Sequence, residues 1–477
     1  MTRGKKIALG CFVFLPLTCC FGGFAYLQYK ASSANNRIAE EVKLMQSMGL
    51  MTETSEMARN IPPDDNAAEA YIEASNMIAN GTQGEADSDA IVTALSYQYA
   101  SEIDPLDIKE TREAYVALKP VYALLEQGAA KPHLEFKRNW SLAPMELLFP
   151  ELATHKKFVK LLSAKARIQS HEGDYEGSFK TLAAMMRMNH QIGEEPTLIG
   201  LLVSIACDSI TQVTFQKVVQ DQSKNPKALA LAKKTLAEQP PLPQFKKALN
   251  GEMVMGRSAV QMLGKYSWSQ IYGYADDPGS GNEKGAMESF QRIAISNPAV
   301  KKSLEATILT GYRKKFEEFP KDQLDFDGMD KMNRDSDAWV QSQGFPMDRL
   351  AEIFFPVFEQ ADRALGNDEG YRRLSATEVR IYEDALKLGH LPTKLPDYGK
   401  ISIDPLSPTH GRFGYKLGPT GFLLWGVSGD RIDNGGIRTG GPNGQRDQVV
   451  DTRPPKPLPP KPADRGGISG LPPGSAG

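Results

Sequence analysis

Apolar side chains recur every three or four residues through most of this chain, from Asn35 to about Leu388. This spacing places apolar residues on one face of an α-helix, and the period changes only near Gly389. The clearest apolar stripe comprises Leu148, Leu152, His155, Val159, Leu162 and Ala166. The sequence therefore predicts a mainly α-helical protein, with one large helical domain over residues 61–390.

Two further apolar stripes follow, and turn residues separate them. Gly173 is predicted to end the first helix, and Asp174 is predicted to cap the second. After Gly193 and Pro196, a third stripe is formed by Ile199, Leu202, Ala206, Ile210 and Val213. Residues 196–207 carry no charge but are too few to span a bilayer. We therefore expect a buried central helix in this part of the chain.

The same periodicity predicts helices elsewhere. Asn66 and Glu69 have the spacing of a capping box, which predicts a helix that ends near Ala79. Later segments with helical periodicity are 226–238, 243–264, 284–318, 347–363 and 375–388. Aromatic residues are concentrated in residues 265–282, where packing of a loop onto the helices is favoured over a ligand site.

An uncharged segment, residues 7–29, follows the basic residues Arg3, Lys5 and Lys6. As a helix, residues 7–27 would be about 31 Å long, which matches the hydrocarbon core of a bilayer. The positive-inside rule then places residues 1–6 in the cytoplasm and the bulk of the chain outside. The sequence predicts a single-pass signal anchor in the cell membrane, followed by a juxtamembrane helix and linker over residues 30–60.

Two other fates of the uncharged segment fit the same residues. A signal peptide would be cleaved near residues 31–34, although its apolar core would be longer than usual. A lipid anchor would use Cys11, Cys19 or Cys20, although the residues before them match a lipobox poorly. Because only Cys207 lies outside this segment, we expect no intrachain disulfide in the exported part, and Cys207 is predicted to be a small core residue.

The C-terminal part has a different pattern. Residues 412–417 and 421–427 are typical of two strands joined by a short turn, and residues 448–450 could add a third strand. We therefore predict a small β-hairpin module over residues 391–451. Residues 452–477 contain eight prolines, which predicts a disordered tail without a packed core.

The sequence contains no recognisable catalytic or cofactor-binding motif. Its six histidines are scattered, and His155 and His171 would lie about 160° apart around one helix, so a shared zinc ion is not predicted. His155 is expected to be a core histidine, and Glu252 an exposed or ion-paired carboxylate. The net charge of -2 disfavours nucleic-acid binding. We therefore predict no catalytic residue and no cofactor, and a non-catalytic protein is favoured over an enzyme.

One loop offers oxygen ligands for a metal ion. Asp430, Asp433 and the side chain of Asn434 lie close together in sequence. Calcium takes about six to eight oxygen ligands, so backbone carbonyls or water would have to complete a site. A plain turn is therefore favoured over a calcium site at this position.

Two sets of segments resemble known families. IPPDDNAAEAY at residues 61–71, GDY at 173–175 and PTLIG at 196–200 resemble uncharacterised, membrane-anchored exported proteins of planctomycete-type bacteria. This resemblance covers about residues 1–265 and implies no known activity.

The second resemblance lies in the C-terminal module. DPL at 404–406, FGY at 413–415, FLLWGV at 422–427 and GDRIDNGG at 429–436 resemble the C-terminal β-region of the major pseudopilin of type II secretion. The resemblance implies a hairpin and a loop that can hold calcium. The N-terminus departs from a pseudopilin, because no acidic residue precedes Glu40.

These features predict a membrane-anchored extracytoplasmic protein with an interaction or envelope role. Helical hairpins offer concave surfaces for a protein partner. Two alternatives are an enzyme whose catalytic carboxylates are dispersed in sequence, and a secretion-associated component with a pseudopilin-like module. A deep pocket with converging buried Glu or His residues would favour the enzyme, whereas an exposed apolar groove would favour a binding module.

Overall fold

The computed structural model describes residues 32–79, 82–96, 105–263, 297–344, 348, 351, 355, 359–437 and 446–453. The predicted anchor (7–29), the aromatic segment 265–282, most of 347–358 and the chain from Pro454 lie outside the described residues. The described part is mainly helical and includes a small antiparallel sheet, as the sequence predicts.

The helices are numbered in chain order. They are α1 (residues 32–47), α2 (Ala68–Ala79), α3 (Thr82–Ser96), α4 (Lys109–Ala117), α5 (Lys119–Ala129), α6 (Pro150–His171), α7 (Tyr175–Gly193), α8 (Leu198–Asp221), α9 (Pro226–Ala237), α10 (Phe245–Met262), α11 (Pro298–Glu318), α12 (Phe326–Gln341) and α13 (Glu359–Leu388). The strands are β1 (Gly414–Leu417), β2 (Phe422–Gly426) and β3 (Gln448–Asp451). Short 3-10 helices lie at Thr54–Met57, Pro63–Asp65, Pro105–Asp107, Pro144–Glu146 and Gly399–Ser402.

The boundary between α6 and α7 follows the predicted turn residues. Gly173 has a φ of +83°, a left-handed conformation that ends α6. Asp174 accepts a hydrogen bond from the Gly177 backbone N–H at 2.8 Å and so caps α7. Glycine and aspartate therefore act here as the sequence predicts.

One predicted helix boundary is wrong. The sequence predicts separate helices at 347–363 and 375–388, whereas α13 is continuous. Gly370 lies in the middle of α13 because β3 approaches closely there: a Cβ at this position would lie 2.1 Å from Gln448 Oε1. Close packing, rather than a helix end, explains this glycine. The apolar pattern also does not predict α12.

Two large apolar clusters hold the helices together, and α8 borders both. Phe215 of α8 belongs to the first cluster, which is built mainly by α2 to α9. Leu201 of α8 belongs to the second cluster, which joins α10, α11 and α12. Residues 30–60, expected to be a juxtamembrane helix and linker, contribute Ile38 and Met45 to the second cluster.

The central helix is α8, which packs against α6, α7, α10 and α13. Among the described residues it is also the one helix whose length and composition would allow it to cross a membrane. However, 56% of its most apolar stretch is buried inside the protein, as in a core helix. The predicted apolar stripe is not its inward face, since Ile199, Leu202 and Val213 are each at least 36% exposed.

The strands form one antiparallel sheet in the order β1-β2-β3, which confirms the predicted hairpin and third strand. Phe422 and Leu424 are fully buried against Leu374 and Ile381 of α13. Trp425, on the opposite face, is only partly buried. Phe422, rather than Trp425, is therefore the aromatic side chain that joins the sheet to the helices.

The sheet includes a residue that the sequence assigns to the tail. The Thr452 hydroxyl accepts a hydrogen bond from the Phe422 backbone N–H at 2.8 Å, and the Thr452 N–H donates to the Phe422 carbonyl at 3.0 Å. Thr452 thus extends the edge of the β module. The proposed division of the chain at residues 390 and 391 stays a prediction.

Candidate functional site

A cleft of about 920 Å³ lies between α2, α6 and the extended segment 134–142. This volume is within the range of sites that bind small molecules. The apolar side chains of the lining are Ile61, Pro63, Ala68, Tyr71, Ile72, Phe136, Leu142, Leu147, Leu148, Pro150 and Phe158. The cleft is therefore a mainly apolar surface that two distant stretches of the sequence, residues 61–76 and 135–158, form together.

Asn66 holds the extended segment against the start of α2. Its amide nitrogen donates to the Glu135 carbonyl oxygen at 2.9 Å, and its Oδ1 accepts the Glu135 backbone N–H at 2.9 Å. The same Oδ1 accepts the Ala68 N–H at 3.1 Å. Asn66 therefore caps the start of α2 by accepting its first backbone N–H, as predicted, and it holds one wall of the cleft in place.

The floor of the cleft is uncharged. Tyr71 and Phe158 are buried there, and the Tyr71 ring meets the His155 ring edge to face, with centroids 5.7 Å apart. His155 Nε2 lies 3.1 Å from the Met188 carbonyl oxygen, which only accepts, so Nε2 carries the proton. His155 Nδ1 has no hydrogen-bond partner among the described residues. Burial lowers the pKa of His155 to about 4, so this core histidine is neutral near pH 7.

Exposed aliphatic side chains surround the mouth of the cleft. Leu148 is 77% exposed, Ile72 50% and Leu142 39%. The sequence places Leu148 on a buried helical stripe, but α6 begins only at Pro150, so Leu148 faces solvent. We refer to Ile72, Leu142 and Leu148 as the aliphatic rim. Covering this rim would remove apolar surface from water, which favours binding.

Glu146 Oε2 accepts the Ala143 backbone N–H at 3.4 Å, and protein groups hold two further carboxylates of the cleft lining more closely. Glu151 pairs with the buried Arg138, whose Nε also lies 2.9 Å from Glu195 Oε1. Glu135 accepts two backbone N–H groups of residues 59–61, at 2.6 and 2.8 Å. These two carboxylates therefore brace the walls of the cleft.

A second cluster of ionisable groups lies in the core between α8 and α13. This polar seam comprises Asp208, Gln212, Gln216 and Gln220 of α8, with Asp368, Arg372, Ser375 and Glu378 of α13. Its α8 members are four residues apart, which places them on one helix face. Gln220 Nε2 donates to Glu378 Oε1 at 2.9 Å, and Gln216 Nε2 donates to Ser375 Oγ at 3.2 Å. These bonds allow a polar helix face to be buried.

Arg372 connects two buried acids of the polar seam. Its Nε lies 2.9 Å from Asp208 Oδ2, and its Nη2 lies 3.8 Å from Asp368 Oδ2. Burial, and then the nearby charge of Asp208, raise the pKa of Asp368 well above its usual range. Burial therefore favours the neutral form of Asp368, and Asp208 is the acid that lies closer to Arg372. Neither acid lines the cleft or the smaller cavity of about 420 Å³ beside Arg372, so the seam supports the core.

Glu378 is expected to make the stability of the protein depend on pH. Burial raises its pKa from 4.5 to about 8. Because the folded state holds this proton more tightly than the unfolded state, the stabilisation is complete below pH 4.5 and is lost as the pH rises through about 8. We expect this group to lower the free energy of unfolding by about 2–4 kcal/mol between about pH 5 and about pH 8.5.

Glu378→Gln should remove the part of the pH dependence that Glu378 contributes, because glutamine keeps the oxygen that accepts from Gln220 and carries no charge. Asp362, Asp368 and Asp404 should leave a slope of the same sign and of comparable size, since burial raises the pKa of Asp368 well above its usual range and the pKa values of Asp362 and Asp404 to about 7 and about 6. Urea unfolding of the wild type, Glu378→Gln and the exposed control Glu113→Gln at both pH values measures the effect. An unchanged slope in Glu378→Gln would assign it to other groups.

The predicted calcium ligands lie in a loop beside β2, and their side chains bond to the protein. Asp433 Oδ1 accepts two N–H groups at 2.8 Å, one of them from Trp425, and Asp430 Oδ1 accepts a backbone N–H at 3.2 Å. The Asn434 side-chain amide donates to a carbonyl at 3.1 Å. Asp447, which the sequence does not single out, accepts the Asn434 backbone N–H at 3.1 Å.

In the described part of the chain, no three His, Cys, Asp or Glu residues are grouped as a metal site. The preference for a plain turn over a calcium site at this loop stays a prediction.

The sequence also singles out Glu252 and Cys207, and the structure agrees with the prediction for Cys207 but not for Glu252. Glu252 Oε1 accepts the Leu198 N–H at 2.9 Å, and burial raises the pKa of Glu252. Glu252 is therefore a partly buried acid of α10 that bonds to the first residue of α8. The expectation of an exposed or ion-paired carboxylate is wrong. Cys207 is fully buried, and burial raises the pKa of its thiol to about 12, which confirms a core residue.

No protein-family model, curated protein or solved structure matches this chain. The resemblances to planctomycete-type exported proteins and to a pseudopilin therefore stay predictions. The geometry of the cleft is the basis for assigning a function.

Proposed function

We propose that this protein is a non-catalytic binding protein, and that its cleft holds an apolar part of a partner or ligand. The observation that carries this proposal is the exposed aliphatic rim around an uncharged floor. Complete burial of one large aliphatic side chain contributes about 1.5–3 kcal/mol, so covering even part of the rim would support measurable affinity. The sequence-based expectation of an interaction protein agrees with this arrangement.

The ionisable groups of the cleft give less support to catalysis. His155 is buried and neutral, and Glu135 and Glu151 are bonded to groups of the protein. Glu146 accepts the Ala143 N–H, so the alternative hypothesis, an enzyme with dispersed carboxylates, would rest mainly on Glu69.

We place the cleft outside the cytoplasm, close to a membrane. The uncharged segment 7–29 and its basic flank support this location. A reporter enzyme fused after Lys30 would then be active only if it functions in the exported compartment. Activity of a cytoplasm-only reporter at this position would contradict the proposed topology.

The neutral fluorescent dye Nile red tests the cleft without a known ligand. The full-length protein should bind the dye saturably, and Ile72→Ser combined with Leu148→Ser should weaken binding about tenfold or more, because two apolar contacts are lost. Val116→Ser is the matched control, since Val116 of α4 is similarly exposed and lies outside the cleft. Equal dye affinity in the wild type and the rim variant would contradict the proposed function.

A further inference from the structure

The charges around the cleft indicate which apolar ligand it takes, and this inference rests on the proposed function. Four acids and two bases line the cleft, which leaves the lining with two net negative charges: Glu69, Glu135, Glu146 and Glu151 against Lys137 and Arg138. Arg138 is already paired with Glu151 and with Glu195. The electrostatic potential at the mouth is therefore expected to be negative.

The negative charge lies at the edge of the cleft rather than on its floor. Tyr71, Phe158 and the neutral His155 form the floor. Glu69 is exposed in the first turn of α2, one helical turn before Ile72 of the aliphatic rim. In the part of the chain that the structure describes, no ion pair forms at Glu69. A carboxylate thus stands next to exposed apolar surface, which suits a ligand with an apolar face and cationic edges.

We propose that the cleft binds a basic amphipathic peptide segment of a partner protein. Its apolar side chains would cover the floor and the aliphatic rim, and its Lys or Arg side chains would lie beside Glu69 and Glu146. A peptide fits better than a small molecule because the rim projects into solvent: an enclosed ligand would leave Leu148 uncovered. Amphipathic helices are recognised in this way by apolar grooves, and charge complementarity at the edge selects the partner.

Three synthetic amphipathic peptides test the charge preference. They share the same leucine positions and carry only Lys, only Gln or only Glu at the polar positions. With the full-length protein at low salt, fluorescence anisotropy should show the Lys peptide binding about tenfold or more tightly than the Gln peptide, and the Glu peptide binding most weakly. The difference should shrink at high salt, because ions screen charges at an exposed rim.

A charge reversal on the rim locates the effect. Glu69→Lys should weaken binding of the Lys peptide about fivefold or more, strengthen binding of the Glu peptide and leave Nile red binding unchanged. Glu176→Lys is the matched control, because Glu176 is also exposed in the first turn of a helix, α7, and lies outside the cleft. It changes the net charge equally and should leave the affinity for all three peptides unchanged.

The outcomes separate the two proposals. Equal affinity for the three peptides, or equal effects of Glu69→Lys and Glu176→Lys, would overturn the charge preference, while rim-dependent Nile red binding would uphold the apolar cleft. Nile red binding without any peptide binding would overturn the peptide inference alone. Absence of both would overturn this inference and the proposed function together.

Discussion

Replacing Arg372 with Met is expected to lower the free energy of unfolding by about 3–5 kcal/mol at neutral pH, because it leaves the charge of Asp208 buried without a counterion. Arg372 is the cation 2.9 Å from Asp208 between α8 and α13, where Asp208 is buried and the Arg372 side chain is 15% exposed. Urea unfolding of the wild type and Arg372→Met at neutral pH would measure the loss.

A second variant keeps this prediction specific. Asp208→Asn combined with Arg372→Met removes both charges, so it should be more stable than Arg372→Met alone. The amide retains an oxygen for Asn189, which donates to Asp208 Oδ1 at 3.3 Å. If the double variant were no more stable than Arg372→Met alone, the charge pair would not explain the stability of the polar seam.

Replacing Phe422 with Ala is expected to cost about 3–5 kcal/mol, the usual loss for a fully buried aromatic side chain. Phe422 is inaccessible to solvent and contacts the ring of Tyr382 on α13, with centroids 5.6 Å apart. Trp425→Ala should cost about half as much or less, because Trp425 is partly exposed on the other face of the sheet. Thermal or urea unfolding of both variants gives the comparison.

The same experiment tests the end of the β module. Removal of residues 454–477 should change the free energy of unfolding by less than about 0.5 kcal/mol, because the proline-rich composition favours no packed core. Removal from Thr452 should cost more, since Thr452 bonds both backbone groups of Phe422. A larger loss for Trp425→Ala than for Phe422→Ala would contradict the described packing of the sheet.

The cleft could not be predicted from the sequence as a site. Asn66, Glu135 and Glu151 meet there from separate parts of the chain, and no motif spacing connects them. The sequence predicts Asn66 as a helix cap and Leu148 on an apolar stripe, but it assigns neither residue to a binding site. The exposed Leu148 became informative only when the structure placed it before the start of α6.

Local chemistry explains what the sequence determined by itself. Gly173 and Asp174 end one helix and begin the next because a left-handed glycine and a capping carboxylate act within a few residues. Likewise, β1 and β2 pair across a short turn, so their contacts are also local. Helix and strand positions of this kind depend on neighbours in the chain.

The inward face of α8 was decided only by the tertiary structure. Its apolar stripe predicts burial of Ile199 and Leu202, yet these are exposed, and Asp208 and Gln216 lie in the core instead. The reason is that α13, more than a hundred residues away, supplies partners such as Arg372 for these groups. Burial of a polar side chain is costly when it is unpaired and acceptable when it is bonded. Hydrophobic periodicity in the sequence reflects the cost of burying an unpaired polar side chain. Whether a polar side chain is bonded instead depends on which distant helix packs against α8.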